Sequence, residues 1–233
     1  PVPSQACQQV FAEKQEKTTA TIPAVRKGEI QTRKYDFKKA GKELDYVVFF
    51  EKPFVKFDRL LRTSLQGFPK TYRMFVDSMR TWLLDKLWIK SLITRTVGIE
   101  ASRILFSEHH LSHAASAYFC SPYEESAVLT FDGVGEWSTT TIGTGKGTNL
   151  ELTKEIRFPH SLGLLYSVFT SWLGFEVNEG EYKVMGLAPF GQPLYVDRIL
   201  EDLMDLKDDG SFRMRMRYFN YAQGLSMTSE DFH

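Results

Sequence analysis

The sequence predicts an α/β fold, and three observations carry that expectation. The run Tyr46 to Phe50, YVVFF, is β-branched and aromatic and has the length of one strand. From Phe54 to Ile93 the apolar residues recur at helical period instead. Further on, AVLTFDG, WSTTTIGTGKG and LELTKEIRF form three strand-like segments joined by glycine-containing turns, and a second helical pattern follows. Strands and helices therefore alternate along one chain.

Composition narrows the function classes. With 233 residues, 42% apolar and 25% charged, the chain can bury a substantial core. Lysine plus arginine equals aspartate plus glutamate at 29 each, so no overall field favours nucleic acid or an anionic membrane as partner. Only Cys7 and Cys120 occur, without Cys-x-x-Cys spacing, which suggests neither a disulfide framework nor a zinc ribbon. The longest weakly polar run, Ser161 to Phe175, is too short to span a bilayer, and no basic-then-apolar signal opens the chain. A cytoplasmic protein is expected.

Taken in order, residues 1 to 45 are polar and lysine-rich with Pro1, Pro3 and Pro23, and are expected to be peripheral or poorly ordered. The strand at YVVFF, expected in a sheet interior, is halted by Glu51-Lys52-Pro53. Two helices follow, with a break at Gly67 to Pro69. Phe54, Phe57, Leu60 and Leu61 form the buried stripe of the first, and Trp82 and Trp88 pack in the core or between helices. Arg103 to Phe106 is a short strand leading into a helix that runs to Tyr118 and is stopped by Ser121-Pro122.

The three strand-like segments read as an antiparallel meander. The helix after it has Ser161 as N-cap and Leu164, Leu165, Val168, Phe169, Trp172 and Leu173 on its buried side. Asn178 to Pro193 is a glycine-framed loop or short helix, Leu194 to Leu206 a further helix, and SFRMRMRYFNY a strand with one face buried. Arg213, Arg215 and Arg217 alternate along it and are read as solvation of its outer face rather than a nucleic-acid stripe.

Chemistry concentrates between Ser107 and Trp137, SEHHLSHAASAYFCSPYEESAVLTFDGVGEW. His109 and His113 are four apart, so on a helix they share a face, the spacing by which two imidazoles grip one divalent cation. His110 points elsewhere. Asp132 ends an apolar run, where α/β proteins put carboxylates facing a crevice. The competing reading is a pair of buried histidines satisfied by hydrogen bonds alone. Within Asn178 to Pro193, Lys183 lies among glycines, a pattern suited either to a phosphate contact or to an exposed turn. Lys183, with Ser161 and Gly163 at the start of the preceding helix, is placed on an anion-binding side of the cleft.

Three meandering strands and a helix are also how a ribonuclease-H-like subdomain opens, the unit duplicated in actin-like ATPases and in acetate and sugar kinases. An incomplete fold of that kind is expected. Residues 1–125 would hold the N-terminal region and the later part of one subdomain, and residues 126–233 the beginning of a second.

Together with IRFPHSLGLLYSVFTSWLGFEVNEGEYKVMGLAPFG and DLKDDGSFRMRMRYFNY, the histidine-bearing stretch resembles the carbamoyltransferase family, which includes nodulation-factor, cephem and aminoglycoside O-carbamoyltransferases. The resemblance runs from about Leu44 to the end. In their N-terminal part such enzymes are similar to the threonylcarbamoyl transferase of tRNA and to the carbamoyltransferase of hydrogenase maturation, whose His-x-x-x-His corresponds here to His109 and His113.

The resemblance implies a division of labour. A C-terminal domain makes carbamoyl adenylate from carbamoyl phosphate and ATP, and the actin-like N-terminal domain passes the carbamoyl group to a hydroxyl of a small biosynthetic product. It implies iron, or another divalent ion, on His109, Asp132 and His113, with a further aspartate later in the chain. His113 and Asp132 are then also the catalytic candidates, and Ser161, Gly163 and Lys183 would stand on the nucleotide or carbamoyl-phosphate side of the same cleft. Gly28 to Asp36 echoes the family, whereas residues 1 to about 27 match nothing in it. The chain stops before the last ligand and the adenylate-forming domain, so that domain is expected as a separate partner. Two other readings are a non-catalytic remnant that binds substrate or partner, and a kinase of the same superfamily. The kinase is disfavoured because His-x-x-x-His has no task in simple phosphoryl transfer.

Overall fold

A computed structural model describes residues 19–26, 29–36 and 44–233. Strands β1 (Thr19–Arg26) and β2 (Glu29–Asp36) pair antiparallel and join no other strand among the described residues. Where described, the stretch is a paired hairpin rather than irregular chain, while residues 1–18, 27–28 and 37–43 lie outside the described residues. Threonine, isoleucine and valine are interleaved there with Pro23 and charged residues, so neither structural period stands out in the sequence.

Strand β3 (Val47–Phe49) pairs in parallel with β4 (Ile104–Phe106). Between them come α1 (Pro53–Gln66), α2 (Tyr72–Leu84) and α3 (Ile89–Val97), the crossover that parallel pairing requires. Ile93, Ile99 and Ile104 form the core here, with Val47, Phe49 and Phe106 packed on it. The strand is not interior, because Val48 is exposed and, among the described residues, β3 pairs with β4 alone. Pro53 starts α1 and Gly67 ends it, as the sequence suggests. The expected stripe turns inward only in part, with Phe57, Leu60 and Leu61 half-buried. Phe54 is exposed, whereas Pro53, Lys56, Arg59 and Ser64 are buried. Trp82 is buried, but Trp88 is exposed and donates its indole N–H to the Leu83 carbonyl at 2.7 Å.

The next helix, α4 (His109–Tyr118), leads to the meander β5 (Glu125–Phe131), β6 (Ser138–Lys146) and β7 (Asn149–Arg157), one three-stranded antiparallel sheet in that order. Leu129 faces Ile142 in register. A register shift follows between Ile142 and Gly143, where a Cβ on Gly143 would meet the Glu151 carbonyl oxygen at 2.0 Å. Only glycine lets the two strands approach there. Gly145 serves α4 in the same way, its face lying against the Tyr118 ring. Ala114, Tyr118 and Val128 make this second core, with Leu150 and Leu152.

Helix α5 (Leu162–Trp172) buries Ser167, Val168 and Thr170, while Trp172 and Leu173, expected inside, are exposed. Helix α6 (Glu181–Leu187) occupies the glycine-framed stretch. Instead of one helix over Leu194 to Leu206, a short helical segment spans residues 196–203 and β8 (Met204–Leu206) pairs antiparallel with β9 (Phe212–Met214). The turn at Gly210, with φ of 80°, lets the chain fold back. Phe212 and Met214 are buried and Arg213 and Arg215 exposed, the alternation read from the sequence. Met204, Phe212, Met214 and Phe219 close on Val168 as the third core. Among the described residues no helix is long and apolar enough to cross a membrane.

Candidate metal centre

The site lies where the start of α4 meets the end of β5. Glu136, buried, fixes that start: its carboxylate accepts the His109 backbone N–H at 3.0 and 3.1 Å and the Lys52 backbone N–H at 2.8 Å. A carboxylate on the unpaired amides of a helix N-terminus satisfies them and complements the helix dipole. Helical spacing then sets His109 and His113 one turn apart on one face.

Asp132 follows directly on β5, held by its own N–H donating to the Thr139 carbonyl at 2.9 Å. Its Oδ1 accepts the Gly133 N–H at 2.7 Å, which leaves Oδ2 to face the histidines. His109 Nε2 is 2.6 Å from Oδ2, His113 Nε2 is 3.7 Å from it, and the two Nε2 atoms are 3.0 Å apart. Three donor atoms thus converge within 4.8 Å of one another. His110 is outside this group. Its Nε2 donates to the Ser138 carbonyl at 2.8 Å and its Nδ1 faces Thr130 Oγ1 at 2.6 Å, so it is a satisfied core histidine.

Electrostatics follow the geometry. Burial alone would lower the His109 pKa, but the hydrogen bond to Asp132 and the approach of Glu51 outweigh it and raise it to about 9. Burial would raise Asp132, yet the two histidines and the Gly133 amide hold its carboxyl far below the usual range. Glu51 behaves likewise: burial opposes ionisation, and His109 and Lys56 prevail, lowering it to about 2. For His110 burial dominates and keeps the ring neutral.

Ser161 and Gly163 are brought to the back of this site. Ser161 Oγ caps α5 by accepting the Leu164 N–H at 3.0 Å and lies 2.7 Å from the Gly133 carbonyl. Gly163 and Asp132 line a cavity of about 620 Å3 together with Arg59, Phe158 and Tyr221. Lys183 is not among its walls. That lysine is exposed, with Nζ over the Phe175 and Tyr182 rings. The cation facing the cavity is Arg59, 5% exposed, its Nε sealed without a hydrogen-bond partner among the described residues. Sequence reasoning missed Arg59, Lys56, Glu51 and Glu136. The one trace of them is the polar stripe Lys56, Arg59 and Thr63 opposite the apolar face of α1.

Two imidazole nitrogens and one carboxylate oxygen form a donor set that suits a divalent transition metal. The orphaned polar atom at the site agrees with that fit. His109 Nδ1 is buried without a hydrogen-bond partner among the described residues, with the Glu51 carboxylate 3.5 Å away, where the second ring N–H of a metal-ligating histidine would find its acceptor.

The family model described as carbamoyltransferase N-terminus matches residues 5–233. A protein of Synechocystis, named as uncharacterized protein sll1178, is 54% identical over 198 residues, covering 82% of this chain and 32% of the relative. Nodulation protein NolNO of Sinorhizobium fredii is 40% identical over 131 residues, covering 55% of the chain and 19% of the relative. Nodulation protein NolO of Bradyrhizobium diazoefficiens is 36% identical over 110 residues, covering 46% and 20%. The chain therefore spans about a third of the length of the first relative and about a fifth of the other two.

Proposed function

The chain belongs to the carbamoyltransferase family as an N-terminal portion, and from that premise we propose that it is the transfer part of an O-carbamoyltransferase. It would carry a carbamoyl group from carbamoyl adenylate, made elsewhere from carbamoyl phosphate and ATP, to a hydroxyl of a small biosynthetic product. The observation that carries this reading is the convergence of His109, His113 and Asp132 beside the Arg59 cavity. We further read β5 to β7 and α5 as the opening of a ribonuclease-H-like subdomain, with the boundary between two subdomains near residues 122–125, and place the protein in the cytoplasm.

The residues divide the work by burial. His109 and Asp132, with side chains 8% and 19% exposed, would hold iron or another divalent ion from the inside. His113, 51% exposed, closes the ligand set at rest and is the group an arriving hydroxyl meets. When bound, such an ion supplies Lewis-acid polarisation of the carbamoyl carbonyl. The acceptor oxygen forms a bond to the carbamoyl carbon while the bond from that carbon to the phosphate oxygen breaks. AMP leaves, and the hydroxyl proton would go to Nε2 of His113, which in that step is not a ligand of the ion. Arg59 is suited to the departing phosphate, because its buried Nε has no hydrogen-bond partner among the described residues and is free to donate to an anion. The apolar walls, Phe158, Leu164 and Tyr221 among them, exclude water that would hydrolyse the donor.

The test supplies carbamoyl adenylate, ferrous ion and a panel of hydroxyl acceptors to the chain, alone and mixed with a separately produced C-terminal portion of the protein. Carbamoylated acceptor and AMP, lost in Asp132→Ala, are expected. Phosphorylated acceptor with ATP alone would overturn the reading in favour of a kinase, and no turnover in either arm would favour a binding remnant.

A further inference from the structure

Two charged residues, one just after β3 and one on α1, have no place in the transfer chemistry above, yet they are buried against it. Glu51 follows β3, Lys56 lies in the first turns of α1, and their side chains are 12% and 7% exposed. Lys56 Nζ sits 2.7 Å from Glu51 Oε2. The same Oε2 is 3.5 Å from His109 Nδ1, the nitrogen left without a hydrogen-bond partner. Burying two charges costs free energy that a single ion pair does not clearly recover, so a purely stabilising role explains this arrangement poorly.

We propose that Glu51 is a positioning residue for His109: it receives the Nδ1–H of the ring, selecting the tautomer whose Nε2 lone pair faces His113 and Asp132. The proposal rests on the reading of this cluster as a metal site. Its logic is the division of one imidazole between two neighbours. A neutral ring that donates from Nε2 to Asp132 turns a bare Nδ1 lone pair toward the Glu51 carboxylate, an unfavourable contact. With a cation on Nε2 the proton belongs on Nδ1, where Glu51 is the acceptor in reach. The present 3.5 Å lies just outside hydrogen-bond length, and a shift of about half an ångström closes it.

The surroundings leave Glu51 this task. Glu136 already fixes the His109 backbone, so what remains undetermined is the rotation and tautomer of the ring. Lys56 holds Glu51 from the far side and keeps it ionised. The inward turn of the polar stripe of α1 acquires a reason: it delivers Lys56 to Glu51, at the expense of an exposed Phe54.

Equilibrium dialysis with Co2+ at one fixed pH, followed by the visible absorption of the bound ion, tests this on the full chain. Glu51→Ala is expected to lower Co2+ affinity about 10–100-fold, the usual cost of removing such a partner, and to alter the absorption bands. Glu51→Gln, which keeps an acceptor oxygen, is expected to recover part of the affinity, and it serves also if the alanine variant does not fold. In the Zn2+-loaded protein the 15N spectrum should show the His109 proton on Nδ1. Unchanged affinity and bands in both Glu51 variants, with binding abolished by His109→Ala, would overturn the role of Glu51 and leave the metal site standing. Binding unaffected by His109→Ala, or absent from the wild type, would overturn the metal reading and this proposal with it.

Discussion

Gly163 lies so close to Asp132 that a Cβ on it would fall 2.5 Å from the Asp132 carbonyl oxygen. The first turn of α5 is thereby seated on the backbone that presents the Asp132 carboxylate, and Ser161 Oγ, 3.0 Å from that same oxygen, secures it. Gly163→Ala must push the helix or the strand end aside. A loss of about 1–3 kcal/mol in chemical denaturation is expected, as for other overpacked contacts, together with weaker Co2+ binding. A fully stable variant with wild-type binding would show that α5 is free to shift.

His109 and His110 are adjacent and should separate cleanly. His110→Ala takes one partner each from the Thr130 hydroxyl and the Ser138 carbonyl, which keep Thr141 and the Gly135 N–H, and empties a buried ring site, at a cost of about 1–3 kcal/mol, while Co2+ stoichiometry stays at that of the wild type. His109→Ala abolishes binding. The reverse pattern would exchange their roles.

The stability of the ion-free protein depends on pH with opposite signs on its two limbs. Asp132 and Glu51 have depressed pKa values when folded, so their contribution is present above the ordinary 3.8 and 4.5 and is lost as pH falls. His109 has a raised one, so its contribution is complete below the ordinary 6.5 and is lost as pH rises through about 9. The urea midpoint should therefore be highest between pH 4.5 and 6.5. Co2+ affinity should run the other way on the alkaline limb, increasing up to about pH 9 as the ion displaces the proton on His109. A midpoint that is flat from pH 6 to pH 10 would count against a charged His109.

Arg59 offers a case in which function and stability oppose each other. Its Nε is buried without a partner, so Arg59→Met removes an unsatisfied donor and should keep thermal stability within about 1 kcal/mol of the wild type or raise it. Capture of AMP, measured by calorimetry, should fall. Marked destabilisation without loss of AMP binding would make Arg59 a structural counter-ion to Glu51 and Glu136, the carboxylates whose charge it feels.

The parts of the centre that could be read from the sequence are those set by local periodicity. His109 and His113 are one helical turn apart, Asp132 closes a strand, and the glycine-punctuated segments do form one meander. Glu136 and Glu51 could not be found in that way, since their partners are up to 84 residues away and a glutamate after a strand resembles a solvated stop. The orientation of α1 was misleading for a related reason. Periodicity identifies two faces of a helix, and the preference for burying phenylalanine gives way where a charged network needs the inner one. Lys183, placed among glycines, drew notice as a phosphate contact, while Arg59 occupied a helix position without any local mark.

Glu136 has one more consequence, which is mechanical. A single carboxylate holds the amides of Lys52 and His109, so the start of α1 and the start of α4 are riveted at one point. Lys52 N–H is the outer half of that rivet, and a proline at position 52 would shear it by deleting the donor while sparing every side chain of the metal centre. Arg59 of the cavity wall and His109 of the donor cluster thus stand on two helices that share one anchor, and that anchor is itself no part of the donor set.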